Sequence, residues 1–219
     1  MNTFITADTH FGHSVNQKGF GGIIFHAKRK NPITDALFAS IEEHDQFIIN
    51  QWNKTVGKKD LIYILGDFAW RNHNHYIMAL NGKKILVNGS HDNMNQNSIR
   101  LFTEYHEGML VRAINKVRFV MTHCAMLVWE GSHYSSINVH GHSHLRLEEQ
   151  DDVRRMDVGI DGSPNYTPFN INFVIYKMSL KKKRVYDRSE EELDAIIYKN
   201  KQNNIQLYEK FLSTSGHKS

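Results

Sequence analysis

The feature that most restricts how this chain can fold is a series of short apolar runs rich in Ile and Val, each ended abruptly by small or polar residues. Runs of this length and composition are typical of buried strands. They lie at residues 4–5, 61–65, 85–87, 117–121 and 137–139. Several buried strands in one chain predict a core built on sheets.

Between the first two runs, apolar residues recur at helical spacing, which predicts a helix after the turn at Asn31-Pro32. They are Leu37, Ile41, Ile48 and Trp52. A shorter helix is expected over residues 73–80, ended by Asn81-Gly82. Strands that alternate with helices predict an α/β fold with parallel pairing at its centre.

The second half of the chain has a different pattern. Residues 109–114 and 117–121 flank Asn115-Lys116 and predict an antiparallel hairpin, and residues 172–180 predict a late strand. A mixed sheet is therefore expected here. Beyond the basic run 181–184, which is typical of a solvated turn, Ser189 begins a capping-box pattern that predicts a C-terminal helix.

Length and composition limit the organisation of the chain. With 219 residues, 40% of them hydrophobic, it can bury one sizeable core. We expect one domain over residues 1–187 and a helical extension over 188–219 that packs on it. The single cysteine, Cys124, excludes an internal disulfide and a cysteine-based zinc site. With no recognisable signal peptide or membrane-length apolar segment, a cytoplasmic protein without a membrane partner is expected.

Side chains suited to metal binding or proton transfer follow each apolar run. The groups are Asp8-Thr9-His10, Gly66-Asp67, Gly89-Ser90-His91-Asp92, Thr122-His123 and His140-Gly141-His142-Ser143-His144. Ligands bind at the carboxyl ends of strands in open α/β sheets. These side chains are therefore expected to converge on one site.

The residue types at these strand ends predict a metal site. Carboxylates and imidazoles suit Mn, Fe, Zn or Ni, and they are too many for one tetrahedral zinc. A bridging carboxylate, most simply Asp67, would hold two ions roughly 3.5 to 4 Å apart, the spacing that suits in-line phosphoryl displacement. The sequence therefore favours a site for two divalent metal ions.

The order of these motifs, Asp-x-His, Gly-Asp, Gly-x-His-Asp, a lone His and Gly-His-x-His, resembles the calcineurin-like metallophosphoesterases, especially their small bacterial and phage-encoded members. The likeness covers residues 1 to about 176. It implies a four-layer α/β/β/α sandwich of two mixed sheets flanked by helices. It also implies one metal held by Asp8, His10, Asp67 and His144, and a second held by Asp67, His123 and His142.

The resemblance also assigns roles beside the metals. Ser90 stands where the family has an asparagine ligand to the second metal, and a neutral hydroxyl is a poorer donor than an amide oxygen. Ser90 is therefore expected to bind weakly, to act through a water, or to leave a gap. His91 is expected to be the general acid, with Asp92 orienting its ring. His13 is expected to reach substrate phosphate or to line the rim.

The expected activity is metal-dependent hydrolysis of a phosphoester, in which a hydroxide bridging two metal ions attacks phosphorus. Manganese is the first choice of metal, with Fe, Zn, Ni or Mg as alternatives. The substrate is expected to be a nucleotide or a nucleic-acid end, as a monoester or a diester. Two other interpretations stay open: a degenerate binding protein with a weakened second site, and a mononuclear zinc hydrolase using His123, His142 and His144.

Other polar residues receive lesser roles. Asp161, in the stretch 158–162, is expected to support the site from behind the ligands. Most remaining histidines, His26 and His44 among them, are expected at the surface. Nothing in the sequence indicates an oligomeric state.

Overall fold

The structure is a computed structural model that describes residues 1–14, 22–181, 191, 194–195, 198–203 and 205–207. The chain divides into two units, Met1–Lys183 and Arg184–Ser219. The described residues of the second unit are helical, as predicted, whereas the predicted cap at Ser189 lies outside the described residues. None of the described helices is long and apolar enough to cross a membrane.

The first unit alternates strands and helices. Its described strands are β1 (Thr3–Thr6), β2 (Leu61–Leu65), β3 (Lys83–Val87), β4 (Glu104–His106), β5 (Met109–Ile114), β6 (Val117–Thr122), β7 (Ile137–His140), β8 (Arg155–Asp157) and β9 (Phe169–Asn170). Its described helices are α1 (Ile23–His26), α2 (Ile41–Thr55), α3 (His73–Ala79), α4 (Gln96–Ile99) and α5 (Ile171–Ser179). All five strands expected from the apolar runs are present.

The strands form two mixed sheets. The first has the order β4-β3-β2-β1-β9, in which only β9 runs antiparallel to its neighbour. The second has the order β5-β6-β7-β8, in which β5 is antiparallel to β6 and the other pairs are parallel. The predicted fold class, an α/β arrangement of two mixed sheets flanked by helices, is confirmed.

The main core lies between the two sheets. Tyr63 and Leu65 of β2 pack there with Phe119 and Met121 of β6, because alternate residues of a strand point to the same face. Ile62 and Ile64, which alternate with them along β2, face the other way, where Trp52 of α2 packs on the sheet. Strands buried on both faces have continuous apolar runs in their sequence, which is why these strands could be predicted from the sequence.

The predicted hairpin is confirmed, with β5 and β6 paired from Met109↔Thr122 to Ile114↔Val117. Asn115 and Lys116 between them have φ values of 49° and 65°. Two successive residues with positive φ define the tight turn whose twist matches the flanking strands.

The late strand predicted over residues 172–180 is wrong, because this segment is helix α5. Ile171, Val174 and Met178 are buried at helical spacing and pack into the core between the sheets. The Asn170 side chain caps the helix by accepting a hydrogen bond from the backbone N–H of Asn172. The β-branched residues favour a strand locally, but burial of one face of the helix outweighs that preference.

Candidate metal centre

Two groups of potential ligands lie at the carboxyl ends of the strands. Asp8, His10 and His144 form one group, and Asp67, His123 and His142 form the other. Within each group the donor atoms lie within 4.8 Å of one another. The structure therefore brings together, in two groups of three, all the expected ligands except Ser90.

Asp67 lies between the two groups. Its Oδ2 atom is 3.5 Å from Nε2 of His10, and its Oδ1 atom is 3.4 Å from Nε2 of His123. Each carboxylate oxygen thus faces a histidine of a different group. This is the placement that a bridging ligand requires.

The buried nitrogen atoms of the site fit a metal. Nε2 of His10 and Nε2 of His123 are both buried and have no hydrogen-bond partner among the residues that the structure describes. Buried polar atoms are nearly always paired, and an unpaired one costs roughly 1–3 kcal/mol. A cation between each of these nitrogen atoms and the Asp67 oxygen that faces it would give that nitrogen a partner, so the donor set suits divalent ions.

Two histidines are oriented by hydrogen bonds from their other ring nitrogen. Nδ1 of His123 lies 2.9 Å from the carbonyl oxygen of Leu65, and Nδ1 of His144 lies 2.7 Å from Oδ2 of Asp161. An N–H at Nδ1 leaves the lone pair on Nε2 for a metal. Asp161 thus supports the site from behind a ligand, as the sequence suggested.

The backbone at the ligands is unusual. Asp8, His10, Asp67, His142 and His144 all have positive φ, between 46° and 66°. Only a few per cent of non-glycine residues adopt this conformation, which costs on the order of 1–3 kcal/mol where it is strained. Five such residues in one site indicate that the surrounding fold holds the ligands in place.

The loops after β2 and β3 touch each other through glycine. A Cβ atom on Gly89 would lie 2.5 Å from Oδ1 of Asp67, and one on Gly66 would lie 2.5 Å from the Cα atom of Gly89. Gly66 also has a φ of +81°. The two loops can approach this closely only because both positions lack a side chain.

The protonation of the site depends on its carboxylates. Burial raises the pKa of Asp8 well above its usual range, and the nearby carboxylates Asp157 and Asp67 add to this effect. Burial alone would lower the pKa of His123, but the attraction of the Asp67 carboxylate, 3.4 Å from Nε2, raises that pKa to about 9. Raised pKa values mean that Asp8 and His123 hold protons in the metal-free site. A cation would replace these protons, because it neutralises carboxylates and binds neutral imidazole.

Ser90 and the residues after it surround Asp67. The Ser90 hydroxyl lies 3.3 and 3.4 Å from the two oxygens of Asp67, and the backbone N–H of His91 donates to Oδ1 at 2.9 Å. The Asp92 carboxylate accepts the backbone N–H groups of Phe68 and Gly89, each at 2.8 Å. In the structure Asp92 therefore holds the two loops together.

Three aromatic rings line the rim of the site. The ring of His13 stacks on Trp70 at 4.2 Å, and Trp70 lies 4.8 Å from the ring of His91. The His91 ring is 5.9 Å from that of His10. His26 lies on another part of the rim, with its ring 5.5 Å from that of His144. His26 is exposed, as expected, but it faces the site.

Arg29 is the residue of the site that sequence reasoning missed. It is 1% exposed, and its guanidinium donates to the Asp161 carboxylate at 2.7 and 3.1 Å. It also donates to the backbone oxygens of Thr9, at 2.9 Å, and Asp8. In the sequence it lies within the run Lys28-Arg29-Lys30, which is indistinguishable from a solvated basic turn.

His44 extends this hydrogen-bond network. The expectation that it lies at the surface is wrong, because its side chain is fully buried. Its Nε2 atom is 2.9 Å from Nη1 of Arg29, and its Nδ1 atom is 2.8 Å from Oδ1 of Asp45. Asp45 in turn accepts from the Tyr76 hydroxyl and from the backbone N–H of Gly12. A chain of buried hydrogen bonds therefore connects α2 to the ligand loops.

Comparisons with known proteins give distant relatives in sequence and a solved structure of similar fold. No family model matches the chain. An uncharacterized protein of Methanocaldococcus jannaschii is 24% identical over 181 residues, which cover 78% of this chain and 88% of that protein. The gene 66 protein of Mycobacterium phage L5 is 27% identical over 194 residues, which cover 73% and 86% respectively.

A solved structure, that of a protein of unknown function from Aquifex aeolicus, superposes with a TM-score of 0.55 at 19% identity. The superposition covers 80% of this chain and 98% of the other. The two proteins therefore share a fold. Membership of the calcineurin-like metallophosphoesterases stays a prediction that rests on the motifs.

Proposed function

We propose that this protein is a phosphoesterase that uses two divalent metal ions, most simply manganese, to hydrolyse a phosphomonoester or phosphodiester. The observation that carries the proposal is the position of Asp67, with one oxygen toward each ligand group. A mononuclear zinc site built from His123, His142 and His144 would leave Asp8, His10 and Asp67 without a role. The buried, unpartnered Nε2 of His10 favours use of both groups.

Two bound cations would supply an acidified water as nucleophile and positive charge for the developing oxyanions. The chain's own part is to hold the six ligands in place. Five of them have a positive φ fixed by the surrounding fold, while the Leu65 carbonyl and Asp161 orient the rings of His123 and His144 by hydrogen bonds. His91 is exposed beside Asp67, where its ring can give a proton to the departing oxygen of a bound ester. His13 and His26 lie on the rim, with their rings 5.3 Å from that of His10 and 5.5 Å from that of His144, and in this proposal they bind phosphate oxygens.

The first test is metal-dependent hydrolysis. Protein stripped of metal, loaded with excess manganese and desalted is expected to retain more than one equivalent and to hydrolyse p-nitrophenyl phosphate or its bis-ester. Chelation should abolish both properties, and re-addition of manganese should restore them. A protein that binds about one equivalent, with hydrolysis unaffected by chelation, would contradict the proposal.

The role of His91 can be tested through the leaving group. A general acid matters only when the departing oxygen needs a proton, and it then contributes about 10²- to 10⁴-fold. His91→Ala should therefore cost much more kcat/KM on an alkyl or nucleoside ester than on a p-nitrophenyl ester. His75→Ala, an exposed histidine of α3, is the matched control. Equal losses on both esters would assign His91 to phosphate binding instead.

A further inference from the structure

A second cavity lies at the opposite end of the second sheet from the metal centre. Val117 and Ile137, the first residues of β6 and β7, line it, whereas the ligands His123 and His142 follow the other ends of those strands. At about 3.3 Å per residue, the two sites are roughly 15–20 Å apart. The cavity has a volume of about 380 Å³, within the range of small-molecule sites.

The charged residues that line this cavity are all cationic: Lys116, Arg118 and Arg154. Arg118 is paired with Glu130. Within the described part of the chain, neither Lys116 nor Arg154 forms an ion pair with a carboxylate. Two unneutralised cations at one cavity produce a positive potential that attracts an anion.

Arg154 lacks an acceptor for a buried donor. Among the described residues, its Nε atom is buried without a hydrogen-bond partner, and its Nη1 atom reaches only the carbonyl oxygen of Ser135, at 3.5 Å. An unpaired buried N–H destabilises the folded state. A guanidinium presents its N–H groups as a fork that matches the paired oxygens of a phosphate. An anion in the cavity would give the Arg154 guanidinium a charged partner.

The rest of the lining is apolar or aromatic. Ile137, Ile175 and Met178 form a largely buried floor, and Tyr134 lies at the edge with 89% of its surface exposed. Exposed aromatic rings of this kind stack on nucleobases. The cavity thus offers cations for a phosphate and apolar surface for a flat ring.

We propose that this basic cavity, lined by Lys116, Arg118, Tyr134 and Arg154, binds a nucleoside phosphate. In this arrangement the phosphate contacts Arg154 and Lys116, and the base lies against Tyr134 and the apolar floor. The site is separate from the metal centre and does not depend on the proposed hydrolysis.

The test uses the full chain, stripped of metal and desalted, in calorimetric titrations with ADP, inorganic phosphate and adenosine. ADP is expected to bind with a Kd of about 1 mM or tighter, and both fragments more weakly. Arg154→Gln should weaken ADP about tenfold or more, because it removes a charge-assisted contact. Tyr134→Ala should weaken ADP but leave phosphate unchanged. Arg100→Gln, an exposed arginine elsewhere, should change neither.

Lys116→Gln, on the exposed hairpin turn, provides a second variant that leaves the core untouched, and it should weaken ADP several-fold. The proposal is overturned if ADP does not bind the metal-free wild type. It is also overturned if ADP binds the Lys116 and Arg154 variants as tightly as the wild type, which would place the nucleotide elsewhere. Loss of hydrolysis at the metal centre has no bearing on either outcome.

Discussion

Replacing Asp67 with Asn is expected to reduce hydrolysis by about 10³-fold or more, because the neutral amide cannot serve both metals as a charged bridge. The carboxylate lies 3.4–3.5 Å from one histidine of each group, so its loss weakens both ligand sets together. Asparagine tolerates positive φ, so the loop, where Asp67 has a φ of 50°, should keep its conformation. The measurements are kcat on a p-nitrophenyl ester and metal content after desalting.

Asp35→Asn is the matched control, since Asp35 is an exposed aspartate with a similar φ of 55° and lies outside the metal centre. It should retain wild-type turnover and metal content. Circular dichroism should be unchanged for both variants. Near wild-type turnover of Asp67→Asn would remove Asp67 from the bridging role.

Replacing Arg29 with Met is expected to lower the free energy of unfolding of the metal-free protein by about 3–5 kcal/mol. The change leaves the Asp161 carboxylate, which is 10% exposed, without its cation, and it removes donors to the Thr9 and Asp8 carbonyl oxygens. His144 should then be held less firmly, so manganese affinity should fall as well. Urea unfolding and a manganese titration measure the two effects.

The control for Arg29 is Arg112→Met, which breaks a part-exposed Arg–Glu pair with Glu104, whose side chains are 33% and 36% exposed. Because solvent screens this pair, the variant should lose less stability than Arg29→Met. Arg29→Lys should not restore the stability that Arg29→Met loses, because one ammonium group cannot reach all the acceptors of a planar guanidinium. If Arg29→Met unfolds at the same urea concentration as Arg112→Met, the buried network contributes nothing to stability.

Acid should reduce the effect of Arg29→Met. Burial acts to raise the pKa of Asp161, but Arg29 and the hydrogen bond from His144 hold that pKa below its usual range. A group with a depressed pKa stabilises the folded state above its unfolded pKa, about 3.9, and loses that contribution as the pH falls further. The difference between wild type and variant should therefore narrow below about pH 4.

The parts of the fold that the sequence predicted are those in which burial produces a simple period. Strands β2 and β6 are buried on both faces and appear in the sequence as apolar runs. The turn at Asn115-Lys116 begins with asparagine, a residue type that adopts positive φ readily. Helix α5 was misread because its Ile and Val residues favour strands. Its buried face depends on the surface between two sheets, which no local pattern records.

The candidate site shows the same division. Its ligands were predictable because they follow strands whose ends share one edge of a sheet. Arg29 and His44 were not, because a buried polar residue is recognised only by its partners. Asp161 lies 132 positions from Arg29 in the sequence, and no spacing rule connects them.

The left-handed backbone at five ligands also restricts how the gene can change. Only Gly, Asn, Asp and His adopt this conformation readily, and β-branched or bulky residues are disfavoured whatever they would do to a metal. A descendant that had lost its chemistry would still be selected, for folding alone, to keep small polar residues or His at these positions. Retention of Asp or His at these five positions in an alignment would thus reflect backbone geometry as well as catalysis. His123 has no positive φ, so its retention would report the ligand role more directly.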